Sequence, residues 1–191
     1  GLWCATCDVH MGSHAEYTAK KASISRSQQD QFAAESHRKA VRAQQDGKFK
    51  GEIAPVTVQG RKGDTVVDVD EGPRADTTAD LLAKLRPAFG KGDDATVTAG
   101  NASSLNDGGA ALVVTSREYA EAHGLTVLAR IDAYATGAVD PKELFFAPIT
   151  AVKNLMTKQG TAIGDYDLIE ANEAFASQAL ADGAGLGWDW N

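Results

Sequence analysis

Tyr166-Asp167-Leu168-Ile169-Glu170-Ala171-Asn172-Glu173-Ala174-Phe175-Ala176 reads as a short apolar strand that runs straight into a helix. The junction matters because open α/β folds place their ligands where the carboxyl end of a strand meets the start of a helix. Asn172 falls on that junction. Its amide can donate to a water or a substrate oxygen, or it can serve as an ordinary helix cap, the role that spacing alone favours.

The same alternation extends backwards from this junction. Thr96-Val97-Thr98-Ala99 and Ala110-Ala111-Leu112-Val113-Val114 read as strands on either side of Gly100-Asn101-Ala102-Ser103-Ser104-Leu105-Asn106-Asp107-Gly108-Gly109. That glycine- and asparagine-rich link suits either a backbone nest for a polar ligand or plain turn chemistry. A helix is expected near Ser116 to His123, a long strand from Val127 to Ala135, a helix near Thr150 to Lys158, and a last helix from Glu173. Strands alternating with helices after residue 95 predict a layered α/β core.

Residues 12 to 94 read differently, as a mixed and mostly surface excursion. Ser25-Arg26-Ser27-Gln28 has the serine and the glutamine three residues on that form a capping box, and Phe32, Ser36, Ala40 and Ala43 follow at helical spacing as far as Gly47. The expectation is an exposed amphipathic helix over residues 25 to 46. Ile53 to Val58 and Thr65 to Val69 predict a hairpin around Gln59-Gly60-Arg61-Lys62-Gly63-Asp64. Thr77-Thr78-Ala79-Asp80 opens a short helix carrying Leu81, Leu82 and Leu85, which Pro87 stops.

Composition narrows the function classes. The 191 residues are 43% hydrophobic and 24% charged, near globular averages, with a formal charge of -7 and no basic run. Nucleic acid and anionic membrane are therefore poor partners. No apolar stretch reaches the roughly 18 residues that a membrane span needs, and no basic-then-apolar leader is visible. The chain starts at Gly1 without a methionine and stops at Asn191, and it is read as a piece of a longer protein. Cys4 and Cys7 are its only cysteines, too few for a disulfide framework, so a cytoplasmic location is expected. The Cys4-Ala5-Thr6-Cys7 spacing has the form of a redox pair or half a metal site. His14, His37 and His123 show no compact spacing with it, so no metal is expected. A lone histidine such as His10, followed by Met11, is ordinarily structural.

Taken in order, several strings resemble the thiolase family, especially the acetyl-CoA acetyltransferases. They are His10-Met11-Gly12, Gln59-Gly60-Arg61-Lys62-Gly63-Asp64, Lys84-Leu85-Arg86-Pro87-Ala88-Phe89, Thr96 to Ser103, Leu105-Asn106-Asp107-Gly108 and Glu170 to Ala176. The resemblance covers essentially the whole chain. It implies a partial thiolase-like αβαβα core with an inserted mixed α/β loop domain. On that reading residues 1–94 hold the end of the first core half and the loop domain, 95–125 complete that half, and 126–191 begin the second.

The resemblance also implies roles. Asn172 matches the asparagine whose bound water helps form an oxyanion hole. Arg74, Ala99 and Ser103 match positions near coenzyme A, His10 and Met11 match positions lining its pantetheine and acyl end, Ala174 and Phe175 match pocket-wall positions beside Asn172, and Leu144 lies in a stretch near the acyl pocket. Leu144-Phe145-Phe146-Ala147-Pro148 departs from the commoner methionine- and glycine-bearing stretch, which puts the acyl-chain preference in doubt. Coenzyme A and acetyl-CoA enter as substrates, with no permanently bound cofactor, and the parent is expected to be a homodimer or homotetramer.

The implied chemistry is an acyl-CoA C-acyltransfer. Two acetyl-CoA condense to acetoacetyl-CoA, or a 3-ketoacyl-CoA is cleaved by thiolysis, through a cysteine acyl-enzyme. Neither the family's two cysteine contexts nor its glycine-histidine-proline string occurs here, and Cys4 and Cys7 match neither context. The chain alone is expected to be inactive. The alternative is a non-catalytic thiolase-like protein that binds acyl-CoA or acts as a scaffold.

Overall fold

In the computed structural model, residues 2–92 and 94–190 are described. The chain opens with a small antiparallel pair, β1 (Trp3–Cys4) and β2 (Val9–His10), and passes directly into α1 (Met11–Lys21). Next come α2 (Arg26–Gln45), the hairpin β3 (Val56–Val58) and β4 (Thr65–Val67), and the single-turn α3 (Ala79–Leu82). α4 (Arg117–Ala122), α5 (Ala147–Gln159) and α6 (Ala176–Leu186) complete the set, with 3₁₀ turns at Pro141–Phe146 and Ile163–Asp165.

The capping chemistry read from the sequence is realised. Ser25 and Gln28 close a reciprocal capping box on α2 and Thr78 caps α3, while Ser116, at the start of the expected 116–123 helix, proves to cap α4. The 53–69 hairpin forms with Val56 opposite Val67 and Val58 opposite Thr65. Gly160 and Gly187, both in the left-handed region with φ of 68°, end α5 and α6. That conformation favours a residue without a Cβ.

Residues 11–21 differ from the expected surface excursion. They form a helix whose Gly12, His14, Ala15, Thr18 and Ala19 are buried. Small residues let α1 approach α6, and the Ser177 hydroxyl donates to the Ala15 carbonyl at 3.1 Å between them. α6 is buried on most of its surface through Ala176, Ser177, Gln178, Ala179, Ala181, Asp182, Gly183 and Leu186. Gly185 admits Ile149 of α5, which would overlap any Cβ placed there. α2 is also less exposed than expected, since Gln29, Asp30 and Ala33 face inward.

The strands expected at 96–99, 110–114, 127–135 and 166–170 carry no ladder. Among the described residues the only sheets are β1–β2 and β3–β4, with one isolated bridge between Ala102 and Phe175. The first of these segments is nonetheless anchored. Both carboxylate oxygens of Glu16 on α1 accept from the Thr96 backbone N–H (3.1 and 2.9 Å), with further bonds from the Val97 N–H and the Thr96 hydroxyl at 3.0 Å. The other three have no strand partner among the described residues. Leu112 and Leu128 are 90% and 92% exposed, and Val113, Ile131, Tyr134 and Leu168 are also open to solvent.

A strand forms only against a partner with which it can exchange backbone hydrogen bonds. The described surface totals 13932 Å², against roughly 8,700 Å² for a compact monomer of this mass. Much of the excess lies in exposed apolar segments such as Leu112, Val113, Leu128 and Ile131. Among the described residues no helix is long and apolar enough to cross a membrane.

Candidate active site

A cleft of about 1000 Å³ lies between α2, the 70–77 segment, the 99–106 loop and the 170–173 arm. It gathers Arg74, Ala99, Ser103 and Asn172, four of the residues singled out in the sequence. Each wall is held by side chains outside that set. On α2, His37 Nδ1 accepts the Arg74 backbone N–H at 3.1 Å, and Gln44 donates to the Asp70 carbonyl at 2.8 Å, which together fix the arginine-bearing segment. The Arg74 side chain itself is 71% exposed, with its Nε 4.0 Å from Asp76.

The opposite wall is a seam between two loops. The Ser103 N–H donates to the Ala174 carbonyl at 3.1 Å, and the Ala176 N–H donates to the Asn101 carbonyl at 2.9 Å. Asn101 is the hub. Its amide donates to Asp30 at 2.9 Å and to the Thr96 carbonyl at 3.1 Å, and its side-chain oxygen accepts the Thr98 N–H at 2.8 Å. Asp30 is held in turn by Arg26 at 2.7 Å, and Arg26 also reaches the Leu82 and Leu85 carbonyls. The glycine-rich link is thus turn chemistry at its start, because Gly100 donates to the Thr98 hydroxyl at 3.1 Å and Asn101 closes back on Thr98.

Asn172 is not a helix cap. α6 begins at Ala176 behind Phe175, and Asn172 is exposed at the cleft with no hydrogen bond among the described residues. The neighbouring Glu173 is tied to α2 through Ser36 at 2.7 Å, which steadies the arm carrying Asn172.

The remaining singled-out residues, with one exception, form an aromatic wall rather than lining this cleft. His10 stacks on Phe89 at 4.7 Å, Phe89 meets Phe175 edge-on at 6.1 Å, and Phe145 meets Phe175 at 5.2 Å. Met11 and Ala174 pack against the same core of Ala15, Val97 and Phe175. His10 has a structural duty as well, since its Nδ1 accepts the Gly12 N–H at 3.0 Å and caps α1. A Cβ on Gly12 would overlap the Phe89 ring. Leu144 is the exception: it is 38% exposed and stands outside the wall. Of the two bulky neighbours, Phe145 joins the wall, while Phe146 lies under the Lys21 ammonium at 5.3 Å.

Sequence reasoning missed Ser36, His37, Asn101 and a second groove of about 610 Å³ beside Arg74, lined also by Arg38 and Arg42 of α2. Helical spacing of four puts those two arginines on one face, a signal that was available. Hydrogen bonding to Arg38 lowers the Glu35 carboxyl below its ordinary range.

A separate group forms at the start of the chain. Cys4, Cys7 and His14 place their ligand atoms within 4.8 Å of one another. The interval in sequence does not announce this grouping; α1 turns back over the hairpin and brings His14 to the cysteines. A hydrogen bond from the Cys7 backbone holds the Cys4 thiol down at about 7, with His14 assisting, and burial pushes the Cys7 thiol up.

Residues 1–118 match the thiolase N-terminal domain, and residues 125–191 match the thiolase C-terminal domain. The acetyl-CoA acetyltransferase of Paracoccus denitrificans is 53% identical over 189 residues, covering 99% of this chain and 48% of that protein. The acetyl-CoA acetyltransferase of Escherichia coli is 50% identical with the same coverage. Among solved structures, the Bacillus anthracis acetyl-CoA acetyltransferase superposes with a TM-score of 0.94 at 44% identity, over 98% of this chain and 47% of that one. Human mitochondrial 3-ketoacyl-CoA thiolase gives 0.93 at 39% identity with the same coverage. The chain spans about half the length of the curated relatives it matches.

Proposed function

This chain belongs to the thiolase family, and on that premise we propose that it supplies the coenzyme A cleft and the oxyanion asparagine of an acyl-CoA C-acyltransferase. The whole protein condenses two acetyl-CoA to acetoacetyl-CoA or cleaves a 3-ketoacyl-CoA by thiolysis. The observation that carries this reading is the convergence of Arg74, Ala99, Ser103 and Asn172 on one cleft from segments far apart in sequence.

Each feature has a use in that chemistry. Arg38, Arg42 and Arg74 border the adjoining groove, and guanidinium groups suit the phosphates of coenzyme A in an otherwise acidic chain. Ser103 and Ala99 line the wall along which the thin pantetheine arm runs. The aromatic wall of His10, Met11, Phe89, Ala174 and Phe175 backs the acyl end, and Leu144 stands outside it.

Asn172 presents an uncommitted amide at the cleft. A thioester oxygen gains negative charge as its carbonyl is attacked or enolised, and a fixed donor, direct or through a water, stabilises that charge. The acyl group is carried on one cysteine and the α-proton is taken by a second cysteine, and Cys4 and Cys7 match neither of these contexts.

The organisation proposed is a core-and-loop unit over 1–94, the close of the first core half over 95–125, and the start of the second over 126–191. Exposed Leu112, Val113, Leu128 and Ile131 support further strands and a dimeric or tetrameric assembly in the whole protein. The free thiols of Cys4 and Cys7 fit a reducing cytoplasm.

The test is Asn172→Ala in the full-length protein, assayed by thiolysis of acetoacetyl-CoA. Because Asn172 holds no structural bond, the melting temperature should be unchanged while kcat falls about 10²- to 10³-fold. A fall of less than about threefold, set against that expected loss, would remove the oxyanion role.

A further inference from the structure

Cys4 ends β1, Cys7 lies in the turn that follows, and His14 sits in the first turn of α1. The hairpin holding the two thiols is well fixed. Trp3 pairs with His10 and Cys4 with Val9, the Met11 N–H donates to the Leu2 carbonyl at 2.9 Å, and the Trp3 indole N–H donates to Asp8 at 3.1 Å. Asp8 takes a φ of 53°, which folds the Cys4–Cys7 turn back on itself. Helical side chains lean toward the N-terminus of their helix, so His14 projects back over this turn.

Two independent observations then coincide. The Cys4 and Cys7 sulfurs and a His14 ring nitrogen lie within 4.8 Å of one another. His14 is 3% exposed, and its Nε2 is buried without a hydrogen-bond partner. Buried polar atoms seldom go unpartnered, so an imidazole buried beside two thiols with a ring nitrogen left unbonded is suited to take a ligand.

We propose that Cys4, Cys7 and His14 bind a soft divalent cation of the zinc class, with the fourth position open to water beside half-exposed Cys7. Two thiolates at about 2.3 Å and an imidazole at about 2.0–2.1 Å from a tetrahedral ion stand roughly 3.5–3.8 Å apart. The three atoms, now within 4.8 Å of one another, would draw together on binding, and Cys7 is the most accessible of the three. Binding exchanges two S–H bonds for two S–metal bonds and releases two protons, with no change of oxidation state. The ion staples the hairpin to α1 and so fixes His10 and Met11, the next residues along, in the aromatic wall.

The test uses the full chain, reduced and metal-free, titrated with Co²⁺ and with Zn²⁺ against a chromophoric chelator. The expected result is one equivalent bound, with a thiolate-to-cobalt charge-transfer band and tetrahedral d–d absorption. Cys7→Ser, at a half-exposed position that leaves the fold intact by circular dichroism, should weaken binding at least tenfold, as should His14→Gln. Absence of the charge-transfer band in the unsubstituted reduced chain would overturn the proposal, and that spectrum depends on no variant. Binding unchanged by Cys7→Ser would overturn it equally, as would air oxidation to a Cys4–Cys7 disulfide in a chain whose reduced form takes up no metal.

Discussion

Asn101→Ala is the substitution whose consequence can be worked most fully. The side chain makes three bonds in a buried setting, to Asp30, to the Thr96 carbonyl and from the Thr98 N–H. Asn101 and Asp30 are 3% and 2% exposed, and Thr98 is fully buried. The bond to the carboxylate contributes about 1.5–3 kcal/mol and each neutral bond about 1. Water cannot readily replace them, and Asp30 keeps only Arg26 as a charged partner.

A loss of about 3–5 kcal/mol follows. For a chain of this length that corresponds to a fall in melting temperature of roughly 6–20 °C. Urea denaturation of the full chain, followed by circular dichroism, measures the change. Asn106→Ala is the control, because exposed Asn106 bonds only to Ser104 and should cost less than about 0.5 kcal/mol. A loss below about 1 kcal/mol for Asn101→Ala would refute the idea that this residue joins α2, the 96–104 loop and the arm before α6.

Two further outcomes test the packing. Asp182 is buried, one oxygen meets Gln178 and the other has no partner, and burial raises its carboxyl to about 6 from an ordinary 3.8. The folded state holds this proton more tightly than the unfolded chain, so the group's contribution is full below pH 3.8 and lost as pH rises to about 6. Asp182→Asn should remove that slope and stabilise the chain at neutral pH by on the order of 1–3 kcal/mol, measured by denaturation across pH 4–8. Glu16→Gln sets an amide N–H against the Thr96 N–H and should cost about 2–3 kcal/mol by the same assay.

Local signals were legible where the structure is local. The capping box at Ser25 and Gln28 and the turn between Val58 and Thr65 act over a few residues, and both elements form where their chemistry stands. α1 was hidden because its cap is a histidine and its buried face is made of Gly12, Ala15, Thr18 and Ala19, which leave no stripe of large apolar residues. The β-branched runs at 110–114 and 127–135 have strand composition, but a ladder needs a partner that composition does not name. The roles of Asn172 and Arg74 came from resemblance. Spacing favoured a cap for Asn172, whereas α6 starts four residues later. The Cys4, Cys7 and His14 cluster escaped notice because the helix, not the interval in sequence, brings the imidazole to the thiols.

The most direct test of the central claim is calorimetric titration of the full chain with acetyl-CoA. The account expects saturable binding that weakens about tenfold in Arg74→Ala, the loss of one charge-assisted phosphate contact, with stability unchanged. Binding of equal strength in Arg74→Ala, or no saturable binding to a chain shown to be folded, would contradict the assignment of this cleft to coenzyme A.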